Sequence, residues 1–166
     1  MIGKQFKKYD ISAVLTGGAC VTVYSKNEYV SSDLDFVTAA AEDAPRVVKK
    51  AMGEIGFTRN PGGYFTNPAC PYFIEFISPP LAIGKESPKK IDNIKTRFGE
   101  FNILSPTDCV KDRLAHYYHW DDLQALEQAK LVAKSHRIDR KELKRWSKVE
   151  GHLPKYNEFA AQLKKP

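Results

Sequence analysis

Thr16-Gly17-Gly18-Ala19 and, after a short connection, Ser31-Ser32-Asp33-Leu34-Asp35-Phe36 are the two stretches whose reading decides this chain. Ile11 to Leu15 is an apolar run that predicts a strand; Gly17-Gly18 breaks it, and Ala19 to Tyr24 starts a helix. Leu34 to Val37 predicts a second strand. Side chains alternate along a strand, so Asp33 and Asp35 share one face while Leu34 and Phe36 take the other. Two like charges side by side are costly unless something positive lies between them. That cost is the first pointer to a metal.

Glu75 is the third carboxylate. It is the only charge in Tyr72-Phe73-Ile74-Glu75-Phe76-Ile77, the strongest strand pattern in the chain, which Pro79-Pro80 stops. A glutamate is rarely buried unless it is paired or metal-bound. At period two, Glu75 shares a face with Phe73 and Ile77, and that face is expected to look inward, toward the cation held by Asp33 and Asp35. Three carboxylates on neighbouring strands suit one or two Mg²⁺ ions, which take hard oxygen ligands. Two such ions about 3.5–4 Å apart stabilise both attacking and leaving oxygens of an in-line phosphoryl displacement. The glycine turn supplies the complement. A strand entering a glycine turn and then a helix offers N–H groups and a positive dipole end to an anion. No Gly-Lys-Ser/Thr follows, so this is not a Walker loop.

Outward from these stretches, residues 2–9 carry Ile2, Phe6 and Tyr9 at helical spacing. Glu42 to Ile55 predicts a helix, with Gly56 as its C-cap. Asn60-Pro61-Gly62-Gly63 turns between short strands at Phe57–Arg59 and Tyr64–Thr66, and residues 91–104 predict an edge hairpin around Gly99. From Ser105 the pattern is helical, at about 106–118, 120–135 and 139–150, with a last short helix after Pro154. Ser105 is placed as N-cap with Pro106 at N1, and Asp139 caps the third of these helices. This order predicts an α/β (α+β) fold with a mixed sheet, a core over residues 1–104 and a C-terminal helical subdomain over 105–166.

The chain has 166 residues, 42% hydrophobic and 28% charged, as expected of a globular domain. No apolar run approaches the roughly 20 residues of a membrane span. The N-terminal segment has Lys4, Lys7 and Lys8 but no apolar core of a signal peptide. Cys20, Cys70 and Cys109 are widely spaced and odd in number, which points to a reducing, cytoplasmic location rather than a disulfide framework. Cys20 has no paired histidine and reads as a small buried residue. The net charge is +6, all of it from residues 85–166, with eighteen Lys/Arg against twelve Asp/Glu; residues 1–84 balance at eight each. Lys130, Lys134, Arg137, Arg140, Lys141, Lys144, Arg145 and Lys148 crowd residues 130–148. Such a face fits either RNA or plain solvation. His116 and His119, three apart, fit either a shared metal or the packing face of a helix with Tyr117, Tyr118 and Trp120.

A strand, Gly-Gly, a helix, then Ser-x-Asp-x-Asp on the next strand and a lone acid on a later one resembles the nucleotidyltransferase superfamily of the DNA polymerase β type. Over residues 12–78 the chain is similar to the AbiEii-like or MenT-like toxin nucleotidyltransferases. Thr107-Asp108-Cys109-Val110-Lys111-Asp112-Arg113-Leu114, running into His119-Trp120-Asp121-Asp122, resembles the helical lysine motif and following aspartate of that branch. The resemblance implies that Gly17 and Gly18 hold the nucleotide phosphates and that Ser31 is the small hydroxyl ahead of the acids. It implies that Asp33, Asp35 and Glu75 are catalytic metal ligands, with Glu75 helping to deprotonate the acceptor. Lys111 would contact the triphosphate, and Asp122 is a weaker candidate.

The function expected is Mg²⁺-dependent transfer of an NMP from an NTP to an acceptor hydroxyl. RNA or a tRNA end is the preferred acceptor, with a protein or a small molecule such as an aminoglycoside as others. A toxin–antitoxin or phage-defence role, with an antitoxin protein as partner, follows only from the resemblance. The alternative is an inactive protein of the same fold that binds nucleic acid or a protein partner.

Overall fold

The computed structural model describes residues 1–38, 44–97 and 99–163. Its elements run α1 (Ile2–Lys8), β1 (Ala13–Thr16), α2 (Gly17–Tyr24), β2 (Asp33–Thr38), α3 (Ala44–Gly53), β3 (Thr58–Arg59), β4 (Phe65–Asn67) and β5 (Cys70–Ile77). Then follow β6 (Ile91–Thr96), β7 (Gly99–Leu104), α4 (Pro106–Trp120), α5 (Leu123–Ser135), α6 (Arg140–Val149) and α7 (Leu153–Gln162). The start of the helix expected over 42–55 lies outside the described residues, as does Phe98 in the hairpin.

The strands form one mixed sheet in the order β3-β4-β5-β2-β1-β7-β6. β1 lies antiparallel to β2 and parallel to β7, and β2 lies parallel to β5. The expected hairpin is β6–β7, with β6 on the sheet edge. On the apolar face, Phe36 and Phe76 stack at 5.8 Å, and Phe6 of α1 sets its edge against both. Leu15, Ile74 and Ile103 are buried in the same core. Fully burying each such side chain stabilises by about 1.5–3 kcal/mol, so this face fixes the register of β2 and with it the facing of its acids.

The C-terminal helices are set by their caps. Ser105 Oγ accepts from the Asp108 amide at 3.2 Å, and Asp122 and Asp139 cap α5 and α6 through the amides of Ala125 and of Lys141 and Glu142. The loop between β5 and β6 is fastened to α6. Trp146 Nε1 donates to Ile83 O, Glu150 Oε1 accepts from the Lys85 amide, and Arg145 pairs with Glu86. Among the described residues no helix is long and apolar enough to cross a membrane.

Candidate active site

The glycines do not form a loop before α2; they are its first residues. Gly17 takes φ +65°, the left-handed region where a Cβ is strained. Thr16 occupies the N-cap without a side-chain cap bond, so the amides of the first turn keep their hydrogen-bonding capacity for a ligand. Space is the second reason for glycine. A methyl carbon on Gly17 would stand 2.6 Å from Asp35 Oδ2, and one on Gly18 would stand 2.8 Å from Ser31 Oγ. The turn and the acids therefore form one site. Gly17→Ala is expected to cost about 1–2 kcal/mol through the left-handed backbone. It also pushes the Asp35 carboxylate aside, and an ångström's misplacement costs about 100-fold in rate. Thermal denaturation reads the first effect and a turnover assay the second.

β2 carries the acids as the alternation requires. Thr16 lies opposite Asp35 in the β1–β2 ladder, and Glu75 is the register partner of Asp35 in the parallel β2–β5 pair. Register partners point to the same side, so Asp33, Asp35 and Glu75 share one face of the sheet. Ser31, buried, donates its hydroxyl hydrogen bond to Asp33 Oδ1 and is itself fixed by its amide bond to Thr22 Oγ1 at 2.9 Å. Burial first, then the charges of Asp33 and Glu75, push the Asp35 carboxyl up to about 6. Arg113 pulls the other way.

The expected inward orientation of the Glu75 face is not what the structure has. Phe73 is 48% exposed and Ile77 38% exposed, and Glu75 is half-buried. β5 is an internal strand, but helix packing covers the opposite face, where Ile74 is fully buried. Six residues rich in apolar side chains look buried on both faces when only the sequence is read. Here one face belongs to the core and the other, carrying Phe73, Glu75 and Ile77, is open to solvent.

Lys111 is not brought to this site. It is 1% exposed, and its ammonium pairs with Glu142 at 2.8 Å and Asp108 at 3.2 Å. A lysine that deep needs carboxylate partners, and α6 provides one. Two residues on, about 200° around the helix, Arg113 faces the opposite way, toward the acids. Arg113 is buried, with Nε and Nη2 on Asp112 Oδ2 at 3.0 and 2.6 Å and Nη1 on Gln128 Oε1 of α5 at 3.3 Å. Asp112 and Arg113 are thus both close enough to act electrostatically on Asp35, in opposite directions. Both lie within the 107–114 stretch that resembles the lysine motif, which implies no role for them. Helical phase relative to Lys111 was the available clue.

Asp122 uses its carboxylate to cap α5. His116 lies 5.1 Å from the Trp120 ring, and His119 packs against Trp120 and His152, an aromatic packing face. Cys20 is fully buried. α6 packs on the Lys111 side of α4: Ser147 Oγ lies 2.8 Å from the Tyr118 hydroxyl, and Asp139 N donates to Thr107 Oγ1. The exposed Lys141, Lys144 and Lys148 of α6 therefore stand behind α4, while Arg145 is engaged by Glu86 and Glu142.

Among the described residues no group of three or more His, Cys, Asp or Glu side chains is gathered as a ready-made metal site. The donor chemistry of Asp33, Asp35 and Glu75 nevertheless fits a hard divalent cation: carboxylate oxygens on one face, two of them raising the third by repulsion.

No protein-family model matches the chain, and no curated protein matches it. Solved structures do. An antigenic nucleotidyltransferase-like protein from Paracoccidioides brasiliensis superposes with a TM-score of 0.60 at 11% identity, over 80% of this chain and 72% of that one. The solution structure of the antibiotic-resistance factor ANT(2'')-Ia gives 0.54 at 11% identity, over 98% and 90%. The crystal structure of ANT(2'')-Ia in complex with adenylyl-2''-tobramycin gives 0.54 at 10%, over 95% and 93%. The chain has the fold of these nucleotidyltransferase-like proteins.

Proposed function

We propose that this protein transfers an NMP from an NTP to an acceptor hydroxyl and releases pyrophosphate. The observation that carries the reading is the seating of Asp35 against Gly17, with Glu75 beside it in register. A phosphate-binding turn and an acidic face are then within one nucleotide's reach. The amides of the first turn of α2 bind the β- and γ-phosphates. Asp33, steadied by Ser31, and Asp35 would hold Mg²⁺, with Glu75 as a third ligand. When bound, that ion supplies Lewis-acid stabilisation of charge on the phosphoryl oxygens. Glu75 accepts the proton of the acceptor hydroxyl. The hydroxyl oxygen forms its bond to the α-phosphorus as the bond to the bridging oxygen breaks, and the electron pair leaves with pyrophosphate. Arg113 holds the Asp112 carboxylate through Nε and Nη2.

RNA is the preferred acceptor on the strength of the +6 charge. The adenylyl-2''-tobramycin held by one structural neighbour makes an aminoglycoside the competing choice. A toxin or defence role, with an antitoxin partner, rests on the resemblance alone. A second reading, an inactive binder of the same fold, is favoured by the lack of a ready-made metal grouping among the described residues.

The test is purified protein with each labelled NTP and Mg²⁺, offered total RNA, its own polypeptide and tobramycin. Transfer to any of these is expected, and Glu75→Gln should lower it by about 10²–10⁴-fold if Glu75 takes the proton. No transfer and no pyrophosphate release with any acceptor would leave the inactive reading in place.

A further inference from the structure

The sheet order and the exposed aromatic ring of Phe73 carry a second conclusion, which rests on the nucleotidyl-transfer reading. Across the site the strands run β5, β2, β1, and the glycine turn leaves from the end of β1. An in-line displacement places the nucleophile opposite the leaving group. Pyrophosphate leaves from the glycine side, so the acceptor enters over β5. The floor there is Phe73, Glu75 and Ile77, on one face of an internal strand, with Phe73 48% and Ile77 38% exposed. Phe73 is the register partner of Asp33, and its amide donates to Ser32 O at 3.0 Å, which fixes this part of β5 against the strand that carries the acids.

We infer that Phe73 is the acceptor-specificity residue, and that it stacks on the base of the terminal nucleoside of an RNA whose 3′ hydroxyl lies at Glu75. Phe73 and Glu75 are two residues apart on one face, about 6.6 Å along the strand. That is a span one ribose bridges between its 3′ hydroxyl and its base. An exposed flat ring beside carboxylates offers the base a stacking platform and the hydroxyl an acceptor, the two features a 3′-terminal nucleoside presents together.

The experiment uses a single-stranded RNA hexamer with a 3′-terminal adenosine and the same hexamer ending in an abasic ribose with a free 3′ hydroxyl. Both are offered with labelled NTP and Mg²⁺ to wild-type protein, Phe73→Ala, Phe73→Trp and Trp120→Ala. Trp120 is a more open aromatic, 70% exposed, on α4 rather than on the sheet floor. Phe73→Ala is expected to raise the KM for the adenosine hexamer about 10- to 100-fold, the worth of one stacked base. The KM for NTP should stay within about twofold, Phe73→Trp should restore RNA binding, and Trp120→Ala should change neither. Wild type should lose as much on the abasic hexamer, and Phe73→Ala should lose nothing more on it. The abasic arm on wild-type protein stands even if the alanine variant fails to fold. Equal use of the two hexamers by wild type overturns the inference, as does a loss carried by Trp120→Ala instead. Transfer to tobramycin or polypeptide but to neither hexamer overturns it while leaving nucleotidyl transfer intact. No NTP consumption with any acceptor defeats the transfer reading itself, and the Phe73 assignment with it.

Discussion

Asp35→Asn is expected to lower NMP transfer by at least about 10³-fold without unfolding the protein. A metal ligand contributes several kcal/mol of charge stabilisation in the transition state, and each 1.36 kcal/mol is tenfold in rate. The amide keeps the shape against Gly17 and removes one of three mutually repelling charges. The thermal midpoint without metal should therefore hold or rise, because burial of Asp35 beside Asp33 and Glu75 disfavours its charge. A second readout separates this from a merely structural role. Mg²⁺ with a non-hydrolysable NTP should raise the wild-type midpoint by mass action and leave the variant's unmoved. Undiminished transfer by Asp35→Asn would sink the assignment of the acid pair.

Glu142→Gln is expected to be the most destabilising single change outside the apolar core. Lys111 has 2% of its side chain exposed and would keep only Asp108, at 3.2 Å. Removing one partner of a buried pair costs about 3–5 kcal/mol. In a chain of this length that is a drop in the thermal midpoint of about 6–20 °C. Lys89 and Arg145 lose the same partner. Lys111→Met should cost less, because it removes the buried charge and leaves Glu142 with Arg145 and Lys89. It should leave NTP affinity intact, since the ammonium is committed to the helix packing. A large loss of NTP affinity in Lys111→Met would restore the phosphate-binding role that the family resemblance implies for it.

The pH dependence follows from the same carboxylate. Arg145 first, then Lys111 and Lys89, hold the Glu142 carboxyl well below the usual carboxylate range against the cost of burial. A depressed folded-state pKa means the stabilisation is fully present above the unfolded value of about 4.3 and is lost as pH falls through the lower folded value. Wild type should keep this contribution at pH 7 and through mild acid. The gap between wild type and Glu142→Gln should be widest near neutrality and shrink only in strong acid. Urea unfolding across that range reads it, and a gap that widened in acid would refute the ion-pair account.

Much of this protein was legible in residue order alone. Alternation along Asp33–Asp35 set both carboxylates on one face, and the glycine break after Leu15 marked the strand-to-helix turn beside them. Ser105, Asp122 and Asp139 act through the next few amides, and the structure shows all three as caps, two of them predicted. These are local rules, with periods of two and 3.6 and caps acting within one turn, so the sequence suffices for them. Only the tertiary structure could decide which face of β5 meets the core, because Phe73 and Ile74 are equally apolar and differ only in what packs over them. It alone decided that Lys111 turns to Glu142, thirty-one positions away, while Arg113 turns to Gln128 of α5 and acts on Asp35. Both depend on partners distant in the chain, and no local pattern encodes where such a partner will stand.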